Sequence, residues 1–502
     1  MAEEVWMLQT KKADFKQIGA RFRIDPVTAR IIRNRGIEGE AAIDRYLNGT
    51  LDDLYDPMLL KDMERAVSIL CEAVDTGKKI RIVGDYDIDG VCSTYILLQA
   101  FERLGSDVDF EIPDRIKDGY GINESIIEQA HADGVEVILT CDNGISAFHQ
   151  VELAKKYGMT VVITDHHEVP LDGEKEKIPP ADAVIDPKQA DCPYPFPEIC
   201  GAVVAYKLVQ VLYARRGVPQ MEWLDLLEFA AIATVGDVMK LQDENRILVK
   251  YGLKKMAQTK NLGLRRLAEK NNLDLGAITA YHIGFVIGPC LNAGGRLKTA
   301  KEALALLRAQ SEEEAERLAE ELKELNDTRK DMTEQGTEAA KLQVESWYQK
   351  DKVLVVFLPE CHESLAGIIA GRLREYYQKP AIVLTRGEEA VKGSGRSIDE
   401  YHMFKKLTEV SDLLLKFGGH PLAAGLSLEE KNIDEFRRRL NENAGLTEED
   451  FKAKVWIDVP MPVGYVTERL VRELSCLEPF GQGNEKPLFA EKSLRIRASR
   501  VL

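Results

Sequence analysis

No run of eighteen or more apolar residues occurs in the 502-residue chain. Its most apolar stretch, 226–235, is short and carries Glu228, so a membrane-spanning helix is excluded. No two of the eight cysteines (71, 92, 141, 192, 200, 290, 361 and 476) form a CxxC pair, which removes a zinc knuckle and a disulfide framework and leaves reduced, mostly buried thiols. Basic charge is short as well: 67 Lys and Arg face 83 Asp and Glu, a net −16. A chain that acidic does not coat a phosphate backbone indiscriminately. The opening MAEEVWMLQTKKADFKQ has acid where an export signal has base, and no apolar core follows, which makes the cytoplasm the expected compartment. What is present, 45% hydrophobic and 30% charged residues, describes a folded chain of about three domains.

From Lys78 to about Asp186, short β-branched runs (KKIRIVG, DVDFEIP, VEVILT, TVVIT) alternate with amphipathic stretches. That pattern predicts a parallel α/β sheet with crossover helices. A mostly helical stretch follows over 201–270. The charged, nearly Gly- and Pro-free segment 311–347 predicts a solvated helix joining two domains. A second α/β unit starts at KVLVVFL (352–358), continues through PAIVLT and AAGLSLEE, and ends in a helix near Phe436. The closing KSLRIRASRVL reads as a strand with Leu494, Ile496 and Ala498 on one face and Arg495 and Arg497 on the other. It suits either a nucleic-acid-binding barrel or a plain surface strand. A barrel would have barely begun where the chain stops, so a fragment or an unusually short version is expected.

Carboxylates and histidines recur at ligand-bearing positions: Asp85, Asp87 and Asp89 in VGDYDIDG, Asp142 in TCDNGIS, Asp165, His166 and His167 in ITDHHEV, and Asp237 in TVGDVM. Three of these follow predicted strands, and the C-terminal edge of an open α/β sheet is where ligands bind. Like charges that close force protonation or a counterion, and a pair of hard divalent ions, Mg²⁺ or Mn²⁺, is the natural solution. DYDIDG also mimics the start of a calcium loop, but its twelfth position is Ile96 rather than Glu, and it follows a strand rather than a helix. Asp142 alone reads equally as a turn former, and Asp237 alone as a surface acid at a helix end; the four clusters in order are what is specific. GSGRS (393–397) and FGGHPLAAG (417–425) read as glycine-rich turns that carry Ser394, Arg396 and His420 and cradle phosphate with backbone amides. Arg115 and Arg296 are further phosphate clamps or, equally, structural ion-pair partners.

The series GDYDIDG, CDNGIS, TDHH and GDV, with NAGGRL, CHESLAGIIAGR, VKGSGRS and FGGHPLAAG, resembles the DHH phosphoesterases and their associated DHHA1 domain. LYDPMLLKDMERAV and LEPFGQGNEKPLF are similar to the RecJ exonucleases within that family. The resemblance covers nearly the whole chain. It implies an α/β fold of two lobes, a parallel-sheet DHH domain and a smaller DHHA1 domain, joined by a long helix and followed by a partial OB-like barrel segment. The implied boundaries are 1–77 for an N-terminal extension packed on the catalytic domain, 78–310 for the DHH domain, 311–347 for the connecting helix, 348–450 for the DHHA1 domain and 451–502 for the OB-like start.

The implied activity is 5′→3′ hydrolysis of single-stranded DNA to 5′-mononucleotides, with two Mn²⁺ or Mg²⁺ ions activating water for in-line attack, in repair and recombination. Single-strand-binding protein and a helicase are implied partners. By the same resemblance Asp87, Asp89, Asp142, His166 and Asp237 are metal ligands, and Asp85 stands either among them or behind them. His167 contacts the scissile phosphate and Asp165 orients the histidines from behind. Arg115, Ser394 and Arg396 hold the 5′-terminal phosphate, and Arg296 and His420 line the strand. A narrow cleft between the lobes admits one strand but not a duplex, and Tyr86 or Tyr120 is either a surface for a base to stack on or a core or rim residue. Val83 stands where some members have histidine, so one ion is expected to bind more weakly. Two alternatives are a DHH phosphatase of short oligonucleotides or cyclic dinucleotides, which needs only the two lobes, and a non-catalytic replication scaffold, which loses ligands that are present here.

Overall fold

The computed structural model describes every residue except 1–3, 116–118, 120, 496, 499, 501 and 502. The chain divides into two compact units, one of Thr10–Leu325 with Asp458–Leu502 and the other of Met1–Gln9 with Asn326–Ile457.

In the larger unit, β1 (Ile80–Val83), β2 (Val108–Glu111), β3 (Val137–Cys141), β4 (Thr160–Thr164) and β5 (Ala183–Ile185) form one sheet in the order β2-β1-β3-β4-β5. Every neighbouring pair is parallel. All residues of β1 and β3 are buried, as expected of a parallel sheet covered on both faces. The period-two alternation decides which side chain meets which layer. Ile80, Ile82, Leu139 and Val162 pack with α1 (Ile88–Arg103), α2 (Gly201–Arg216), α3 (Leu227–Gly236) and α4 (Gly288–Leu297). Val83, Ile138, Val161 and Ile163 pack against the helices Glu124–Ala132 and Phe148–Lys156. Thirteen of the sixteen residues of α1 are buried, so its sequence is apolar all round rather than striped.

The same unit holds a satellite core in which Ile31, Ile32, Ile43 and Tyr46 meet Val459, Met461, Leu470 and Leu477. Two arginines tie these distant segments together. Arg35 makes a fork of 2.6 and 3.1 Å with Asp458, both side chains buried. Arg246, fully buried, donates to the carbonyls of Tyr46, Leu477 and Cys476 at 2.9 Å each and stacks 3.8 Å from the Tyr46 ring.

The division between units falls within α5 (Glu312–Gln343). The helix lies over the expected segment but is not solvated throughout: Leu318, Ala319 and Leu322 enter the core of the larger unit, and Ala340 enters the smaller one's. In the smaller unit β6 (Leu354–Phe357), β7 (Ala381–Arg386), β8 (Val391–Arg396), β9 (Leu414–Gly419) and β10 (Ala423–Leu428) are ordered β9-β10-β8-β7-β6. Only β6 and β7 run parallel. Helix α6 (Ala366–Tyr377) covers one face. The strand Glu4–Leu8 pairs in parallel with Ala453–Ile457.

Three sequence expectations are corrected. GSGRS is not a turn; its first four residues lie within β8, laddered on both sides, so their amides are spent on strand pairing. Its glycines serve packing, since a Cβ on Gly393 would come 2.5 Å from Leu384 Cδ2. FGGHPLAAG is a hairpin whose flanks are β9 and β10, and only 420–422 form the turn. The described residues of KSLRIRASRVL form no ladder, and Leu494 is 60% exposed. An alternating pattern becomes a strand only when a neighbour takes up its backbone groups, and no closed barrel is formed among the described residues. Ile496 and Tyr120 lie outside the described residues.

Replacing Arg246 by alanine leaves three buried carbonyls without their donor and opens a cavity. Arg246→Ala should lower unfolding stability by about 3 kcal/mol or more, measured as a fall in the denaturation midpoint; an unchanged midpoint would refute the role of this arginine as a tie.

Candidate metal centre

The rim of the larger sheet gathers the acidic and imidazole groups. Asp85 follows β1, Asp142 follows β3, Asp165, His166 and His167 follow β4, and Asp237 ends α3. Candidate ligand atoms fall into three overlapping sets, each within 4.8 Å: Asp85, Asp87 and Asp142; Asp89, His166 and Asp237; and Asp142, His166 and His167. His166 Nε2 joins them, 3.1 Å from Asp142, 3.4 Å from Asp89 and 3.9 Å from Asp237.

Two helix starts face this group. Asp87 caps α1, accepting from the amides of Asp89 and Gly90 at 2.9 and 3.1 Å. The Asp89 carboxylate accepts the first amides of α2, from Gly201 at 2.6 Å and Ala202 at 2.7 Å. These positive helix ends partly offset the negative charge. Asp237 instead sits at a helix C-terminus, the unfavourable end, and close approach delivers it: a Cβ on Gly236 would lie 2.6 Å from Ile88 Cγ2. Val238, next in the chain, has φ +57, a strained conformation for a β-branched residue. Asp142 is also left-handed, at φ +60.

The charge balance follows. Burial and the neighbouring Asp87 push Asp85 up to about 8, and burial with Asp89 and Asp87 pushes Asp237 up to about 8. Asp142 and Asp87 are raised by burial and by the carboxylates around them. His166 is lowered by burial and so is neutral, with Nδ1 buried and without a hydrogen-bond partner among the described residues. His167 is the opposite case: burial opposes its charge, but the 2.7 Å hydrogen bond between Nδ1 and Asp165 wins and raises it to about 9. Burial likewise opposes the Asp165 charge, yet His167 and the amide of Ile145 at 2.8 Å hold it below the usual carboxylate range. A neutral imidazole and carboxylates that cannot all ionise together are a hard-cation donor set, so these residues fit a pair of divalent ions.

Beside the cluster, Arg115 lies 4.9 Å over the Tyr86 ring, and α4 brings Arg296 close, with Gly295 directly against the Tyr86 carbonyl. Sequence reading missed Asn143: buried, it donates to the carbonyls of Val83 and Cys141 at 3.0 and 2.9 Å and fixes the β3 turn to β1. Its place in CDNG was the available signal. In the smaller unit, Ser394 Oγ and Arg396 are 3.2 Å apart, and the first turn of α6 lies against both at Gly367. His420 is exposed at the β9–β10 turn, its amide donating to Ala423 at 2.8 Å.

Three family descriptions match: the DHH family N-terminal domain over residues 79–234, the DHHA1 domain over 350–445 and the RecJ OB domain over 457–502. The single-stranded-DNA-specific exonuclease RecJ of Bacillus subtilis is 38% identical, covering 96% of this chain and 61% of that protein. Its namesake from Haemophilus influenzae is 34% identical, covering 94% and 84%. The chain thus spans about three fifths of the first relative and more than four fifths of the second. The crystal structure of RecJ in complex with Mn²⁺ from Thermus thermophilus superposes with a TM-score of 0.83 at 30% identity, covering 97% of this chain and 69% of that one.

Raised carboxylates mean that the folded protein holds more protons than the unfolded chain between the ordinary value of 3.8 and about 8. His167, raised from 6.5 to about 9, acts in the same direction. Metal-free protein should therefore lose stability as pH rises from 6 to 8. Thermal melts in EDTA should fall over that range, and Mn²⁺ should raise Tm more at pH 8 than at pH 6. A Tm in EDTA that rises with pH would contradict the charge balance.

Proposed function

We propose, because the chain belongs to the RecJ family of exonucleases, that it hydrolyses single-stranded DNA from the 5′ end and releases 5′-mononucleotides. The observation that carries this reading is the convergence of Asp87, Asp89, Asp142, His166 and Asp237 on one sheet rim. We assign these five as ligands of two divalent ions, Mn²⁺ or Mg²⁺, with Asp85 beside them. Such ions supply a nucleophilic water near neutral pH and positive charge for the phosphoryl oxygens.

The remaining steps belong to this chain's own side chains. Asp165 fixes the His167 ring by Nδ1 and favours its protonated form, leaving Nε2 on a side chain 43% exposed. That nitrogen is the donor we assign to the scissile phosphate, where a fixed positive charge stabilises the extra negative charge of the transition state. Arg115, Ser394 and Arg396 are assigned to the 5′-terminal phosphate. The guanidinium and hydroxyl side by side at the start of α6 support this, since a planar fork and a helix N-terminus both favour phosphate. Arg296 and His420 are assigned to the strand beyond it. With β8 fully laddered, these contacts are made by side chains rather than by amides of GSGRS.

Residues 78–310 form the catalytic domain in this reading, with 10–77 of the expected extension 1–77 packed on it, while Glu4–Leu8 pairs instead with Ala453–Ile457 in the smaller unit. α5 lies in the connector 311–347, residues 348–450 bind substrate and 451–502 begin the OB-like domain, an assignment supported by the matched segments. We further propose that it works in repair and recombination in the cytoplasm, alongside single-strand-binding protein and a helicase that exposes the strand. No helix among the described residues is long and apolar enough to cross a membrane.

Incubation of 5′-phosphorylated single-stranded DNA with Mn²⁺ should release mononucleotides stepwise. Asp142→Ala should cut the rate by about a thousandfold or more, and Arg396→Ala should reduce the preference for a 5′-phosphate over a 5′-hydroxyl. Turnover confined to a cyclic dinucleotide would replace the exonuclease by a small-substrate phosphatase. DNA binding without any cleavage would replace it by a scaffold.

A further inference from the structure

Thr279 starts a helical segment of Ala280–His282 and a π-turn, Ile283–Ile287, that runs directly into α4. Its inner face is buried through Ala280, Ile283 and Ile287. Its outer face carries two aromatic rings, Tyr281 and Phe285, 63% and 67% exposed. The rings stack on each other, with centroids 4.7 Å apart and planes inclined by 26°. Two large apolar rings held parallel in water are costly unless something covers them.

The position of this pair identifies what covers it. A Cβ on Gly284 would lie 3.6 Å from Val235, two residues before Asp237, and one on Gly288 would lie 3.3 Å from Ile88, next to Asp87. The segment that carries the rings therefore packs against the helix ends that deliver Asp237 and Asp87, and the same rod leads on to Arg296. Ala280 packs with Val249 and Leu253 of the helix Asp243–Met256, where Lys254 lies 4.7 Å over the Tyr251 ring. Flat, exposed aromatic faces on a segment that abuts a metal centre are the chemistry of a base-stacking surface on single-stranded nucleic acid.

We propose that Tyr281 and Phe285 form a stacking shelf for the bases of the DNA strand a few nucleotides downstream of the scissile phosphate. The shelf grips the strand without regard to sequence while the 5′ end is cut. The proposal rests on the exonuclease reading, and it adds a strand-binding subsite outside the residues assigned above.

The test measures binding and cleavage separately. Fluorescence anisotropy with a labelled 30-nucleotide oligothymidylate in EDTA reads affinity without turnover. Tyr281→Ala/Phe285→Ala should weaken binding tenfold or more, whereas the ring-keeping Tyr281→Phe/Phe285→Tyr should stay within twofold of the unaltered protein and match its Tm. Removing the bases from nucleotides three to six should weaken the unaltered protein by a similar factor and the alanine variant no further. With Mn²⁺, the alanine variant should raise KM for the 30-mer and leave trinucleotide cleavage unchanged. Equal affinity of the alanine variant and the unaltered protein, or an equal loss from base removal in both, overturns the shelf. So does a dimer that the alanine variant dissociates, which would make this face a self-interface. Cleavage by the unaltered protein alongside either result leaves the exonuclease reading standing; neither cleavage nor DNA binding by the unaltered protein overturns both.

Discussion

Asp85, Asp87, Asp89, Asp142 and Asp237 crowd around one neutral imidazole, and the rest of the larger unit is arranged so that this repulsion can be tolerated. Two helices point their amino ends at the cluster, and the first amides of α2 are committed to Asp89. What those amides cannot offset appears as raised proton affinity at Asp85, Asp142 and Asp237. The metal-free protein thus holds protons where the working one is proposed to hold cations, and pH and metal act on stability through the same groups.

The two histidines of TDHH show how position separates chemically identical side chains. His166 points inward among the carboxylates, where burial keeps it neutral and suited to ligation. His167, one residue on, points outward with Asp165 behind it and stays protonated. Asp165 itself is the one carboxylate of the group whose charge is fully matched, by an imidazolium and by backbone amides. A single β-strand end therefore supplies a proposed ligand, a cation and the group that sets the cation's charge.

Much of this was legible in the sequence because it is local. The alternation of β-branched runs and amphipathic stretches marked the parallel sheet, and the acids stood just past those runs, at the sheet edge where ligands bind. The glycine-rich segments were misread for a definite reason. Glycine marks turns when its φ is positive, but in β8 it marks neighbours too close for a side chain, a fact that resides in Leu384 and not in the sequence around Gly393. The final segment has the alternation of a strand, and its described residues lack the partner that makes one. Asn143 was passed over because its task is to bond the carbonyl of Val83, sixty residues earlier.

By itself the sequence determined which residues can carry charge and metal, in what order, and at the ends of which elements, since strand and helix periodicities act over a few residues. Only the tertiary structure decided their charge states and orientations. The separation of His166 from His167, the matching of Asp165, the adjoining of Ser394, Arg396 and the start of α6, and the exposure of Tyr281 with Phe285 all depend on distances between segments far apart in the chain. Burial and Coulomb interactions act through space, and a linear sequence does not contain those distances.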